Sequence, residues 1–284
     1  MTFDKLLLHD TTRQQCLAAV ASRPHAVLLR GKKGSGGFTV AHAMARDIGA
    51  LLAVVSPKKR QPSGSYTVDV QHGSIIIDDI RALYDQTRAK FSTPHIVIID
   101  IGTRTISPGA QNAFLKLLEE PQPNIHFIIV AQSQTHLLPT VVSRCRTVAL
   151  RPITTAQSEH LLDTLDISDV TQRARLLFIA DGYPAELTRL ASDKTLYDAR
   201  VAIVQDARTM LEGDTYTRLT RAYTYRDKRN DALQLLDDMI QQLTLSLNNA
   251  VHPATPQRLS NILDASERIA GNGHIMLQLA KVLL

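Results

Sequence analysis

Cysteine is nearly missing from this 284-residue chain: Cys16 and Cys145 are the only two. Two thiols cannot build a disulfide framework, and without C-x-x-C spacing they cannot build a four-cysteine zinc site, so both are expected to be reduced. Long hydrophobic runs are missing as well. Runs such as Ile96 to Ile99 and Phe127 to Ala131 fall far short of the ~18 residues that cross a bilayer, so no membrane association is expected. The opening MTFDKLLLHDTTRQQC has an early acid, three consecutive leucines and no small-residue cleavage site. That argues against a secretory leader and makes the cytoplasm the expected compartment. No internal repeat or low-complexity tract is visible. None of the ten histidines has a partner at metal-ligand spacing, so no metal is expected.

Hydrophobic residues at 44% and charged residues at 21% are ordinary globular usage, which excludes wholesale disorder and fibrous repeats. Length suggests about two domains, with three small ones possible. The net charge of +5 is unevenly spread. Residues 1–150 carry 17 Lys and Arg against 10 Asp and Glu, residues 151–195 carry 5 against 7, and residues 196–284 carry 10 against 10. A basic first half suits a polyanion partner such as nucleic acid, and suits a plain soluble protein almost as well.

Short apolar runs alternate with helical patterns through that first half. Strands are predicted at His25–Leu29, Ser74–Ile77, His95–Asp100, His126–Ala131 and Thr147–Leu150, with amphipathic helices at Thr39–Ile48, Ile80–Lys90 and Gln111–Glu119. Near-continuous apolar strands separated by helices indicate an α/β domain with a parallel sheet covered on both faces. Strand patterns stop at Arg151-Pro152. Residues 154–192 read as short helices closed by the Asp181-Gly182-Tyr183-Pro184 turn, and the helical spacing from Leu196 onward puts Leu233, Leu236, Ile240 and Leu243 on one face and Leu259, Ile262, Leu263 and Ile269 on another. The stretch from Val251 to Pro256 must break the flanking helices. Three domains are therefore expected: α/β at 1–150, small helical at 151–195, larger helical at 196–284. Pro57 to Ser65, with Lys58, Lys59 and Arg60, reads as an exposed loop whose cations are solvated, with phosphate contact as the less favoured reading.

After the first strand comes Gly31-Lys32-Lys33-Gly34-Ser35-Gly36-Gly37-Phe38, in the place of a phosphate loop, where glycines let backbone N–H groups and a helix N-terminus point at phosphates. Gly31, Gly34, Gly36 and Gly37 are the candidate loop residues. The side chains do not match the chemistry. In G-x-x-x-x-G-K-[ST] the lysine reaches the β and γ phosphates and the hydroxyl holds magnesium, whereas Gly37 and Phe38 stand here, and Thr39 is one residue, about 100° of helix, too late. Asp100 ends the strand suited to a magnesium ligand, yet the next residue, where an acid would activate water, is Ile101. The loop reads as vestigial, with nucleotide binding weak or absent.

The run Ser107-Pro108-Gly109-Ala110-Gln111-Asn112-Ala113-Phe114-Leu115-Lys116-Leu117-Leu118-Glu119-Glu120-Pro121, followed by Leu138-Pro139-Thr140-Val141-Val142-Ser143-Arg144-Cys145, resembles the bacterial clamp-loader branch of the AAA+ ATPases. The resemblance extends from about residue 10 through the Gly182 turn, and residues 268–279 resemble the collar of the same family. It implies an AAA+ parallel-sheet domain, a helical lid and a helical oligomerisation collar. Catalytic members keep a full phosphate loop, an Asp-Glu pair and a lid arginine at a Gly-x-x-Arg turn, where this chain has Gly182-Tyr183-Pro184-Ala185. Loss of all three points to the family's non-hydrolysing stator subunit, part of a replicative DNA polymerase holoenzyme. Its implied partners are the ATPase and delta-type clamp-loader subunits and, through the complex, the sliding clamp and primed DNA. Arg144 of the Ser-Arg-Cys word would then serve as an arginine finger in a neighbouring subunit's site; the alternative is an arginine capping the domain edge by a local salt bridge. Many relatives carry a four-cysteine zinc module between the loop helix and the next strand, but Ala50 to Ile77 holds no cysteine, so zinc is not expected. Two rivals stay open. One is an active ATPase in which Lys32 or Lys33 replaces the missing lysine; the other is an AAA+-derived binding module unrelated to replication.

Overall fold

The computed structural model describes residues 3–61, 63, 65–69, 73–102, 106–249 and 255–283, and the chain forms two compact units, Met1–Arg189 and Leu190–Leu284. In the first, α1 (Asp10–Ser22) leads into β1 (Ala26–Arg30), α2 (Gly37–Ile48), β2 (Ala50–Val55), β3 (Lys58–Arg60), β4 (Tyr66–Val68), α3 (Ile77–Thr87) and β5 (His95–Gly102). Then come α4 (Pro108–Glu119), β6 (Ile125–Ala131), α5 (Pro139–Val142), β7 (Arg146–Ala149), α6 (Thr155–Thr164), α7 (Val170–Ala180) and α8 (Pro184–Ser192). The second unit is helical, with α9 (Lys194–Glu212), α10 (Thr215–Tyr223), α11 (Arg229–Asn249), α12 (Thr255–Ala270) and α13 (Ile275–Leu283). Among the described residues, no helix is long and apolar enough to cross a membrane.

Five parallel strands lie in the order β2-β5-β6-β1-β7. Alternate residues feed two separate cores. Leu28, Val97, Ile99 and Phe127 join the core built with α3 and α4, while Val27, Ile96, Ile98 and Ile128 join that built with α1 and α2. Burial on both faces is why these strands read as unbroken apolar runs. The start of α4 follows from its sequence: Ser107 Oγ accepts the Ala110 N–H and Pro108 occupies the first turn, where it sacrifices no helical hydrogen bond. Phe114 then packs edge-on to Phe127 with ring centres 5.4 Å apart, and burying such a ring contributes about 1.5–3 kcal/mol. The buried Thr12 hydroxyl donates to the Ala149 carbonyl (2.9 Å) and accepts the Arg151 N–H (3.1 Å), fastening α1 to the end of β7.

Three expectations need correction. Ser74–Ile77 is not a strand: Ser74 makes one isolated bridge to Lys58, and Ile77 opens α3. The Asp79 carboxylate accepts the Ile76 N–H at 3.1 Å, and this helix start prevails over a four-residue apolar run. The strand that completes the sheet is instead β2, which follows α2 after a single glycine and shares its apolar character, so periodicity cannot separate them. Pro57 to Ser65 is not simply a loop, because β3 pairs antiparallel with β4, placing Arg60 opposite Tyr66. The Gln61 N–H closes the turn on the Ser65 carbonyl at 2.8 Å; Pro62 and Gly64 lie outside the described residues.

In the second unit, Leu235, Leu236, Met239 and Leu243 of α11 pack with Ile262, Ala265 and Ile269 of α12. The face expected on α11 is rotated slightly, leaving Leu233 and Ile240 half-buried at its margin, and Leu263 is 52% exposed. Within this core, Arg200 on α9 grips Asp238 on α11 with two parallel hydrogen bonds of 2.7 and 2.9 Å. The break expected from Val251 to Pro256 falls mostly outside the described residues, which resume at Thr255.

Candidate functional site

The turn after β1 carries Gly31 to Gly36 and delivers the chain into α2. Gly34 and Gly36 hold φ of +88° and +77°, in the left-handed region that costs side-chain-bearing residues about 1–2 kcal/mol. A cleft of about 300 Å³ opens beside the turn, bordered by residues 31–39, Asp100, Gln132 and the lid residues Ala185, Glu186 and Arg189. It lies at the C-terminal ends of β1, β5 and β6, where open α/β sheets bind ligands. All four candidate glycines and Asp100 therefore meet at one site.

The residues present do not fit a magnesium nucleotide. Gly37 is buried, and a Cβ there would lie 2.8 Å from Val130 Cγ1 and 3.2 Å from Leu150 Cδ1. Phe38 is 41% exposed and packs edge-on to His42, offering no oxygen for a metal. Thr39 is exposed at the cleft margin. Asp100 borders the cleft, but the β5–β6 register shifts between Asp100 and Gly102, and the intervening Ile101 is 2% exposed in the core against α3 and α4. Lys32 and Lys33, on which an active-enzyme reading depends, are exposed at the rim.

The lid contributes more than the sequence reading found. Glu186 and Arg189, one turn of helix beyond Ala185, both border the cleft, and Arg189 donates to the Glu186 carboxylate through Nε (3.1 Å) and Nη2 (2.7 Å). The sequence carries the pair, since an acid three residues before a base on a helix forms one, but not its place beside the cleft. A guanidinium thus stands four residues after the position expected to hold one, with a carboxylate already on it. The Gly34 carbonyl accepts the N–H groups of Ala185 (3.1 Å) and Glu186 (3.2 Å). The first-turn amides of α8, a natural anion site, are thereby occupied by the loop's own backbone.

Arg144 does not border this cleft. It sits in the turn between α5 and β7, just ahead of the N-terminal end of β7, with Nη1 donating to the Thr140 carbonyl (2.9 Å) and Nη2 paired with Glu119 at 2.8 Å. Its side chain is 37% exposed. The local ion pair named as the alternative role is present. Gln111, which the sequence reading did not single out, holds this segment from beneath: its amide donates to the Ile106 carbonyl (2.8 Å) while its carbonyl accepts the Leu138 N–H (2.6 Å). Neighbouring Cys145 donates its thiol to the Val141 carbonyl, and burial pushes its pKa up to about 12.

The fold is a parallel sheet with a glycine-rich turn after its first strand and short helices after its last. Two solved structures share the fold. A DNA polymerase III gamma subunit-related protein from Thermotoga maritima aligns with a TM-score of 0.51 at 16% identity, over 96% of this chain and 97% of its own. A Thermotoga maritima RuvB mutant gives 0.51 at 15%, over 89% and 86%. Residues 14–154 match the family described as DNA polymerase III, delta subunit. DNA polymerase III subunit delta′ of Bacillus subtilis is 27% identical over 64% of this chain and 58% of its own, and that of Haemophilus influenzae 27% over 43% and 41%. Subunit tau of Bacillus subtilis is 26% identical over 77% and 42%. The chain spans about half the length of these curated relatives. The chain is similar to the DNA polymerase III delta′ subunits.

Proposed function

We propose that the chain is the non-hydrolysing stator subunit of a DNA polymerase III clamp loader, acting in the cytoplasm and helping to place a sliding clamp on primed DNA. On this reading it belongs to the polymerase holoenzyme, works beside ATPase and delta-type subunits, and uses neither zinc nor tightly bound ATP. Residues 1–150 form the α/β domain, 151–195 the lid and 196–284 the collar. The observation that carries the reading is an asymmetry. Gly37, Phe38, Ile101 and Ala185 stand where ATP chemistry needs other groups, yet Arg144 is kept, half-exposed, away from the chain's own cleft.

A guanidinium suits work in a neighbour's site because it stays charged and presents fixed donors to phosphate oxygens that gather negative charge in the transition state. Arg144 has to exchange Glu119 for that phosphate. A half-exposed pair of this kind is worth at most about 1 kcal/mol, so the exchange costs little. The test uses complexes reconstituted with partner subunits, clamp and primed DNA. Arg144→Ala is expected to leave assembly intact, as judged by light scattering, and to lower ATP turnover at the affected site by ~10-fold or more. Equal clamp-loading rates with the two chains return Arg144 to its structural role. Failure to enter the complex at all, or ATP turnover by the pure isolated chain, overturns the stator reading.

A further inference from the structure

The hairpin of β3 and β4 takes no part in the cleft or in the Arg144 segment, and its composition is one-sided. Residues 57–69, closed by the Asp69 N–H on the Pro57 carbonyl, carry Lys58, Lys59 and Arg60 against one acid, Asp69, at the root. Its root is fixed: Lys58 Nζ pairs with Asp79 on α3 at 2.8 Å, and the Lys58 backbone exchanges hydrogen bonds with Ser74 in both directions. Beyond the root, Lys59, Arg60, Tyr66, Thr67 and Val68 are all exposed, Tyr66 by 48% and Val68 by 65%. Side chains alternate across a pleated ribbon, and Arg60 and Tyr66 are direct cross-strand partners, so both stand on one face with Val68. Lys59 and Thr67 form the pair on the other face. A two-stranded ribbon exposed on both faces has little burial of its own to hold it, and large aromatic and apolar groups left in water there are more than solubility requires.

We infer that this hairpin is a contact site for single-stranded nucleic acid, in which a base stacks on Tyr66 while Arg60, its cross-strand partner on the same face, meets the flanking phosphate. An exposed ring next to cations is the combination that holds single strands without reading sequence, since every base offers a stacking face. Duplex DNA keeps its bases stacked internally and has no use for Tyr66. An acidic peptide would use the cations and leave the ring idle. Three-residue strands reach only about 10 Å, so the footprint is one base and its flanking phosphate. The contact is therefore weak alone and strengthens when other subunits hold the same strand. The inference goes beyond the clamp-loader reading and is tested on the isolated full chain without partners, so either can fail without the other.

The probe is a fluorescein-labelled oligothymidylate of about 20 nucleotides, followed by anisotropy from ~50 to ~200 mM salt. The unmodified chain is expected to bind it in preference to a duplex of equal length and to polyglutamate. Arg60→Gln should reduce the salt slope of log K by about 0.7, the value for one phosphate on a single strand. Tyr66→Ser should weaken binding by about 10-fold while Tyr66→Phe, which keeps the ring, should not. Circular dichroism melts confirm that each variant folds, and Arg60→Gln tests the site even if Tyr66→Ser does not. Variants that bind like the unmodified chain, absence of binding at the lowest salt, or preference for duplex or polyglutamate each overturn the inference.

Discussion

Putting a lysine back at position 37 is the obvious repair of the phosphate loop, and the surroundings of Gly37 say that it fails. The new Cβ would stand 2.8 Å from Val130 Cγ1 and 3.2 Å from Leu150 Cδ1, well inside the ~3.5–4.0 Å of an ordinary carbon contact. Val130 cannot step aside, because it is paired in β6 with Leu29 on one side and Asp100 on the other. Overpacking of this kind costs about 1–3 kcal/mol, and replacing a helical glycine returns about 0.5–1 kcal/mol. The net expectation for Gly37→Lys is a loss of about 1–2 kcal/mol, read from urea unfolding. Calorimetry of Gly37→Lys with Phe38→Thr should detect no ATP binding at micromolar concentrations. Adding Val130→Ala should make the combined destabilisation smaller than the sum of the separate ones by at least ~0.5 kcal/mol. Ile101→Glu cannot complete the repair, since it places a carboxylate in an apolar core at a cost of several kcal/mol. A Gly37→Lys chain that unfolds with the unmodified midpoint and binds ATP would refute the reasoning.

Two further outcomes concern stability. Arg200→Met strands the nearly buried Asp238 carboxylate and should cost about 3–5 kcal/mol in urea unfolding, whereas Arg200→Met combined with Asp238→Leu should be close to neutral; a single-variant cost under ~1 kcal/mol contradicts the buried pair. Burial pushes the Cys16 and Cys145 thiols up to about 12, so at pH 8 only about one in 10⁴ is a thiolate and labelling by Ellman's reagent should await unfolding. The folded chain keeps these protons while the unfolded chain releases them near pH 9, so stability should fall above pH ~9 by up to about 1.4 kcal/mol per pH unit per thiol. Rapid labelling of the native chain would contradict this.

The sheet was legible because burial on both faces leaves an unmistakable mark: His95–Asp100 and His126–Ala131 are apolar at nearly every position, and both lie inside strands. The errors fall where burial is one-sided or borrowed. Edge strand β2, with Leu51 and Val54 over 40% exposed, merges in sequence with the helix before it. Ser74–Ile77 has apolar residues that serve the entry of α3. The hairpin was hidden because Lys58, Lys59 and Arg60 are neither β-branched nor aromatic, and cross-strand pairing to Tyr66–Val68 supplies what propensity does not. At the site, motif spacing located the loop, Asp100 and the turn before β7. It could not locate Glu186 and Arg189, because their part depends on α8 lying against Gly34, a contact between residues far apart in the chain.

That contact bears on how one chain could lose one half of a shared chemistry and keep the other. The cleft sits at the C-terminal ends of the strands, and its closure rests on Gly34, Gly37 and the lid backbone. Arg144 precedes the N-terminal end of β7, where Val27 lies opposite Arg146, and its position rests on Gln111, Thr140 and Glu119. The two sets share no residue. Substitutions in the phosphate loop should therefore leave the Arg144 segment undisturbed, because the coupling expected between sites without common partners is only a few tenths of a kcal/mol. On the proposed reading, this independence lets a chain stop turning over ATP without ceasing to complete a neighbour's site. It also sets the order of fragility: a change at Gln111 should reach Arg144 before any change in the phosphate loop does.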